Sequence, residues 1–262
     1  MLYIGRACVP DERCCTRADG AMVWPVGSAS FPMYWMSASR FWHWGPGHAH
    51  YPGGSEMAPG SYDQALAFSR DGEHFEFVGA RQGWIRPGRE GSVGSRRQWL
   101  AAPGAVRLGD DELYFVTRSN VCEGPAVTID PASDSWESEI AIGRLRVNGL
   151  VSLDAPYVRE ADAAVLVTSP LIFRGQKLFL NLDSAGPGSL AIEVRRADQP
   201  SSAPAELQSV PLSANGVDLL VMWGGSPESA GVATAIGKLS GVPVVLTLRM
   251  QACSLFGLRF GD

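Results

Sequence analysis

No apolar run in these 262 residues approaches the roughly 20 that cross a bilayer. The first residues, Met1-Leu2-Tyr3-Ile4-Gly5-Arg6, lack an apolar stretch of signal-peptide length. The expectation is a chain with no membrane partner and no targeting address in the sequence given, which leaves its compartment open. Basic charge is scarce as well: 22 Lys and Arg stand against 27 Asp and Glu, a net charge of −5, without the positive footprint that phosphate-backbone binding needs. Nucleic acid is therefore excluded from the expected partners. Paired cysteine motifs are also missing. Cys8, Cys14, Cys15, Cys122 and Cys253 are odd in number and show no C-x-x-C spacing, so free thiols are expected rather than a disulfide framework. The adjacency of Cys14 and Cys15 is a spacing that structural zinc sites do not favour. Long helical periodicity is absent too. Only Ala230–Leu239 hints at a short helix, and no other 3.6-residue pattern runs far enough to compete with alternation of period two.

Glycine (30) and proline (18), in contrast, are plentiful and scattered without period, which suits many turns between short strands. The length allows two β-domains of ordinary size. Composition and rhythm change across Ile142–Ala155, before which lie all the histidines and most of the tryptophans. Ile142, Leu145 and Val147 read as one strand and Leu150–Leu153 as the next, with Asn148-Gly149 as a type I′ hairpin turn between them. The expected organisation is a first β-domain over 1–147 and a second over 148–262.

Gln64–Gly79 is the clearest hairpin. Leu66 and Phe68 alternate with Ala65, Ala67 and Ser69, and Phe75 and Phe77 alternate with His74 and Glu76. The turn Ser69-Arg70-Asp71-Gly72 places side chains that accept backbone N–H bonds beside a glycine suited to positive φ. Asp71 is accordingly read as a turn residue rather than a catalytic acid. Gly104–Val106 and Glu112–Thr117 read as strands around Gly109-Asp110-Asp111, a second hairpin turn. Phe31–Met36 is the apolar core candidate of the first sixty residues. From Leu150 onward come Leu150–Leu153, Ala164–Phe173, Lys177–Leu182, Leu190–Arg195, Val217–Trp223, Val244–Met250 and Leu255–Phe260, a spacing that predicts a β-sandwich.

Three features bear on ligands. His43, His48 and His50 fall in a short Gly/Pro-rich stretch without H-E-x-x-H or facial-triad spacing, so no metal and no cofactor is expected there. Trp84–Trp99, W-I-R-P-G-R-E-G-S-V-G-S-R-R-Q-W, is the one locally basic segment, read either as a solvated connection or as a surface for an anionic or polyhydroxylated ligand. Trp42, Trp44, Trp84 and Trp99 are either buried strand residues or platforms on which a sugar ring stacks.

Several motifs together resemble the C-terminal half of a glycoside hydrolase family 32-like protein. They are L-A-F-S-R-D-G-E-H-F at Leu66–Phe75, G-R-L-R-V-N-G-L-V-S-L-D-A at Gly143–Ala155, T-S-P-L-I-F-R-G-Q-K-L-F-L-N-L-D at Thr168–Asp183 and R-M-Q-A-C-S-L-F-G-L-R-F at Arg249–Phe260. The resemblance implies a five-bladed β-propeller followed by a C-terminal β-sandwich, with carbohydrate as partner. A blade takes roughly 40–50 residues and a closed ring at least about four blades. The residues before 148 hold about three, so an all-β chain with a partial β-propeller followed by a C-terminal β-sandwich is expected, a truncated or divergent relative.

The family's catalytic carboxylates lie in Asn-Asp-Pro, Arg-Asp-Pro and Glu-Cys motifs, and retaining hydrolysis needs two carboxyls about 5–5.5 Å apart. None of these motifs occurs here. Asp130-Pro131 follows Ile129, Cys122-Glu123 has the reverse order, and Arg70-Asp71 is followed by Gly72. No catalytic residue carries over from the resemblance. The expected function is that of a glycosidase-like protein whose acids to test are Glu90, Asp63, Asp110 and Glu123, chosen as lying on loops where blade ends converge. The alternative is a non-catalytic carbohydrate-binding or interaction module using Trp42, Trp44, Trp84 or Trp99.

Overall fold

A computed structural model describes residues 9–11, 14–16, 22–28, 31–43, 60–81, 83–89, 92–94, 97–101, 104–119, 138–157, 163–224 and 231–262. The chain is mostly β. In order the strands are β1 (Val9–Asp11), β2 (Cys14–Thr16), β3 (Met22–Ser28), β4 (Phe31–His43), β5 (Gly60–Ser69), β6 (Glu76–Phe77), β7 (Gly83–Ile85), β8 (Arg97–Leu100), β9 (Val106–Leu108), β10 (Asp111–Ser119), β11 (Ser138–Arg146), β12 (Leu153–Ala155), β13 (Ala164–Val167), β14 (Lys177–Arg196), β15 (Leu207–Gln208), β16 (Asn215–Leu220) and β17 (Val244–Gly261). The helical elements among the described residues are 3₁₀ segments, Val78–Arg81 and Ala233–Leu239, the second lying within the stretch read as a short helix. No helix among them is long and apolar enough to cross a membrane. By compactness the chain divides into two units, Met1–Leu108 with Leu113–Arg144, and Gly109–Glu112 with Leu145–Asp262.

The first unit is built on a nine-stranded sheet with the order β11-β10-β8-β5-β4-β3, to which β6 and β7 add on β5 and β9 on β10. β5 is its central strand and runs antiparallel to β4, with Trp35 opposite Phe68 and their rings 6.1 Å apart. Flanked on both edges, β5 buries both of its faces, Gln64 and Leu66 on one, Asp63, Ala65 and Ala67 on the other. The hairpin read at Gln64–Gly79 is present, with Ala67 opposite Phe77 and Phe68 opposite Glu76. Its turn forms as the side chains dictate. Ser69 Oγ accepts the N–H groups of Asp71 and Gly72, Asp71 Oδ1 accepts those of Glu73 and His74, and Gly72 has φ 80°. The Gly109-Asp110 corner joins β9 to β10, with Gly109 at φ 63°.

The second unit is a six-stranded sheet organised on one long antiparallel ribbon, β14 with β17. Here the sequence reading needs correction. Lys177–Leu182 and Leu190–Arg195, read as two strands, are halves of β14, and Val244–Met250 and Leu255–Phe260 are halves of β17. The ladder is irregular between Ser184 and Ser189, opposite Cys253 and Gln251, and Ala252 between those partners takes φ 45°. Such a bulge leaves a residue unpaired and bends the strand. It also flips the alternation: Val244, Leu246, Leu248 and Met250 are buried before it, Cys253 and Leu255 after it. Those residues join Leu178, Leu180, Leu182, Leu190, Ile192 and Val194 of β14 in a single apolar cluster closed by Phe173, Trp223 and Ile236. Each such fully buried Leu, Ile or Val contributes about 1.5–3 kcal/mol of transfer free energy.

The turn at Asn148-Gly149 is also not the hairpin expected. β12 pairs with β17, not with β11, so the two strands flanking the turn belong to different sheets. Asn148 has positive φ (54°), Gly149 does not, and the Gly149 N–H donates to the Arg146 carbonyl at 3.0 Å. Positive φ at the third of four residues is the type II pattern, which Asn tolerates, whereas type I′ requires it at both central residues. Glycine is needed at 149 for another reason: a Cβ there would lie 2.7 Å from the Arg146 carbonyl oxygen. Val147 is buried, its N–H donates to the Asp110 carbonyl, and its own carbonyl accepts from Asn181 Nδ2 at 2.7 Å. With its ends bound elsewhere, the turn ends one sheet and starts the next.

Candidate functional site

The first unit carries a buried polar cluster that alternation alone did not reveal. Gln64, 1% exposed, stands on β5, where its Oε1 accepts the Ser37 hydroxyl at 2.8 Å. Its Nε2 donates to the Gln98 carbonyl at 2.9 Å and to the Asp63 carbonyl at 3.2 Å. Gln98, itself 2% exposed, donates from Nε2 to the Gly94 carbonyl. A buried amide left unbonded would cost about 1–3 kcal/mol, so the network fixes the strands it joins. The sequence carried little signal for it, since Gln64 stands between Asp63 and Ala65 and Gln98 between Arg97 and Trp99.

That network holds one end of the basic segment. Gly88 N–H donates to the Gly94 carbonyl at 2.9 Å, and the Ser92 hydroxyl and N–H both donate to the Arg89 carbonyl. Arg118 of β10 donates from Nη2 to the Val93 carbonyl at 2.9 Å while its Nη1 pairs with Glu139 at 2.9 Å. Gly94 has φ 85°, and a Cβ there would meet both Arg118 Nε and Gln98 Nε2 at 2.6 Å, so glycine is required on two counts. The segment read as a loop thus begins in β7 and ends in β8, with its middle tied to the sheet. Arg86 and Arg89 are exposed on it, and Arg86 Nε donates to the Gly83 carbonyl. Trp84 is half-buried, its ring edge-on to Tyr114 at 5.4 Å and 87°. Trp99 is half-buried on β8 opposite Thr117.

Among the acids, Asp63 is not on a loop: it lies within β5 and is 4% exposed, at the position opposite Arg40 of β4. Asp110 is exposed at the Gly109-Asp110 corner, and its carbonyl holds Val147. Asp63 belongs to the first unit and Asp110 to the second. Glu90, Glu123, Trp44, His48 and His50 lie outside the described residues, and of Trp42 and His43 only the backbone, in β4, is described. Among the described residues no three His, Cys, Asp or Glu side chains are grouped as metal ligands would be. Cys253 is a free buried thiol, and burial raises its pKa, which suppresses thiolate chemistry.

The second unit has a polar cluster beside the Asn148-Gly149 turn. Arg146 donates from Nη2 to the Leu182 carbonyl and to Asn215 Oδ1 at 3.1 Å, stands 3.8 Å from Asp183, and lies over the Phe256 ring at 4.5 Å. With Asn181 holding the Val147 carbonyl, these side chains anchor the start of the second unit to β14, β16 and β17. Two atoms of the cluster, Arg146 Nε and Asn181 Oδ1, are buried without a hydrogen-bond partner. The surface chemistry of the first unit differs: the exposed guanidinium groups of Arg86 and Arg89 follow the half-buried indole of Trp84 in β7. No protein family, curated protein or solved structure matches this chain.

Proposed function

We propose that this chain is a carbohydrate-directed relative of the family 32 glycoside hydrolases, a partial β-propeller joined to a β-sandwich, which binds sugar around Trp84, Arg86 and Arg89. In support of an all-β architecture, the first unit is a nine-stranded sheet and the second a six-stranded sheet around one apolar core. The observation that carries the binding reading is the bracing of Val93 and Gly94 by Arg118 and Gln98. A loop held in one shape loses little entropy when a ligand arrives. Arginine donors suit hydroxyl and carboxylate oxygens, and an indole face suits a pyranose ring.

The test is a panel of fructans, arabinans and other glycans titrated against the intact protein by tryptophan fluorescence. Saturable binding, abolished by Trp84→Ala or by Arg86→Ala with Arg89→Ala, is expected. Silence across the panel with unchanged emission would remove this reading. A second reading, glycosidic hydrolysis, is favoured by one observation: Asp63 is a carboxylate buried in the central strand. Turnover of an aryl-glycoside or fructan that disappears in Asp63→Asn would replace the binding role with an enzymatic one.

A further inference from the structure

β11 ends the nine-stranded sheet: it pairs with β10 on one side, and no described strand lies on the other. Nine residues long, it contains no proline, and its exposed face carries Ile140 and Ile142 at 67% and 61% exposure. Its direction and phase follow from its two ends. Ser138 Oγ donates to Ser119 Oγ, and the Val147 N–H beyond the last residue donates to the Asp110 carbonyl, so β11 runs antiparallel to β10. Hydrogen-bonded positions alternate along such a ladder. With Val147 turned inward, Ala141 and Gly143 also turn inward, and the N–H and C=O groups of Ile140 and Ile142 turn outward.

An edge strand of this kind, unpaired among the described residues, is a template for another extended strand. The edge also fits itself. When two copies meet antiparallel with Ala141 on the two-fold axis, Ile140 stands opposite the partner's Ile142 and the reverse holds at the other end. Both isoleucine pairs then fall on the same exposed face, at the positions whose backbone groups point toward the partner. Val106 and Leu108, 55% and 65% exposed on β9, extend the apolar face of the same sheet beyond β10. We infer that β11 is a homodimerisation edge, joining two copies of this chain into one continuous sheet through Ile140 and Ile142. A single paired edge buries less area than a standard interface, so the dimer is weak and concentration-dependent.

Sedimentation velocity on the full chain, from about 1 μM to about 1 mM, reads the association directly. The expected result is a mass rising toward that of two chains. Ile142→Pro removes an outward N–H and no inward bond, and is expected to weaken association by about tenfold or more, as two central backbone bonds are lost per dimer. Ile140→Lys, which alters no backbone group, is expected to act in the same direction by placing a charge against the partner's Ile142. Leu220→Lys, on the exposed side of β16, is expected to leave association at the wild-type level. A chain that stays monomeric over the whole range, or a dimer that Ile140→Lys leaves unchanged in a protein with native circular dichroism, overturns the assignment.

Discussion

The two units fill their interiors with different chemistry. In the second, the buried side chains of β14 and β17 are Leu, Ile, Val, Met and Cys253, with Asn181 and Thr247 as the buried polar residues. In the first, the described buried residues divide between apolar ones (Trp35, Ala65, Leu66, Ala67, Leu100, Tyr114, Val116) and polar ones (Ser37, Asp63, Gln64, Ser69, Gln98, Ser119). One interior is held by area removed from water, which tolerates shape-preserving change. The other depends on each donor finding its acceptor, and a single missing partner leaves several groups unsatisfied. The braced loop with Arg86 and Arg89 belongs to that second kind of interior. A surface that presents fixed donors needs a polar framework behind it.

The largest effect that would test the contrast is in the apolar ribbon. Leu180, fully buried in β14, becomes Ala at an expected cost of about 2–5 kcal/mol, measured by denaturant unfolding of the intact chain. A cost under about 1 kcal/mol would mean that the ribbon is not the core described. Next comes Gln64→Leu, which keeps the volume and removes the amide. Ser37 Oγ and the Gln98 carbonyl lose their partner, and the expected loss is about 1–3 kcal/mol, with faster amide exchange at Val93 and Gly94. If hydrophobic burial were equally decisive in both units, Gln64→Leu would be neutral or stabilising.

The smallest effect lies at the exposed turn of the hairpin. His74 Nδ1 sits 2.7 Å from Asp71 Oδ2, and that bond, with the charge of Asp71, raises the pKa of His74 above its usual 6.5. The backbone N–H groups of His74 and Glu73, then the His74 and Ser69 side chains, hold Asp71 well below the usual carboxylate range. The signs are opposite. The histidine contribution is complete below pH 6.5 and is lost as pH rises through its raised pKa. The aspartate contribution is complete above about pH 4 and fades only as pH falls below that. The turn is therefore tightest between about pH 4 and 6.5. NMR titration should find His74 titrating above 6.5, and Asp71→Asn should return it to its ordinary value. An unshifted His74 in the parent would break the turn geometry.

Hairpins were the legible part of the fold. Leu66–Phe77 and Val106–Thr117 carry their turn chemistry within a few residues, and local bonds decide them. The turn at Asn148-Gly149 misled because its residues tolerate several turn types. What decided among them was the hold on Val147 from Asp110 and from Asn181. The strands of the second unit were legible as apolar runs but not as halves of continuous strands. Gly186-Pro187-Gly188 within β14 and the Ala252 bend in β17 look locally like breaks between elements. At the candidate site, Trp84 and the arginines stood out by composition. Gln64, Gln98 and Arg118 did not, because a polar residue gains its role from partners far away in sequence.

By itself the sequence determined a β chain, the corners at Ser69–Gly72 and Gly109-Asp110, and the apolar runs of the second unit, since period-two alternation and turn residues act over a few bonds. Only the tertiary structure decided which strands pair, that β5 is buried on both faces, that the ribbon bends instead of ending, and that a basic loop is braced. Those outcomes depend on hydrogen bonds and packing between residues dozens of positions apart, and no local pattern encodes the partner.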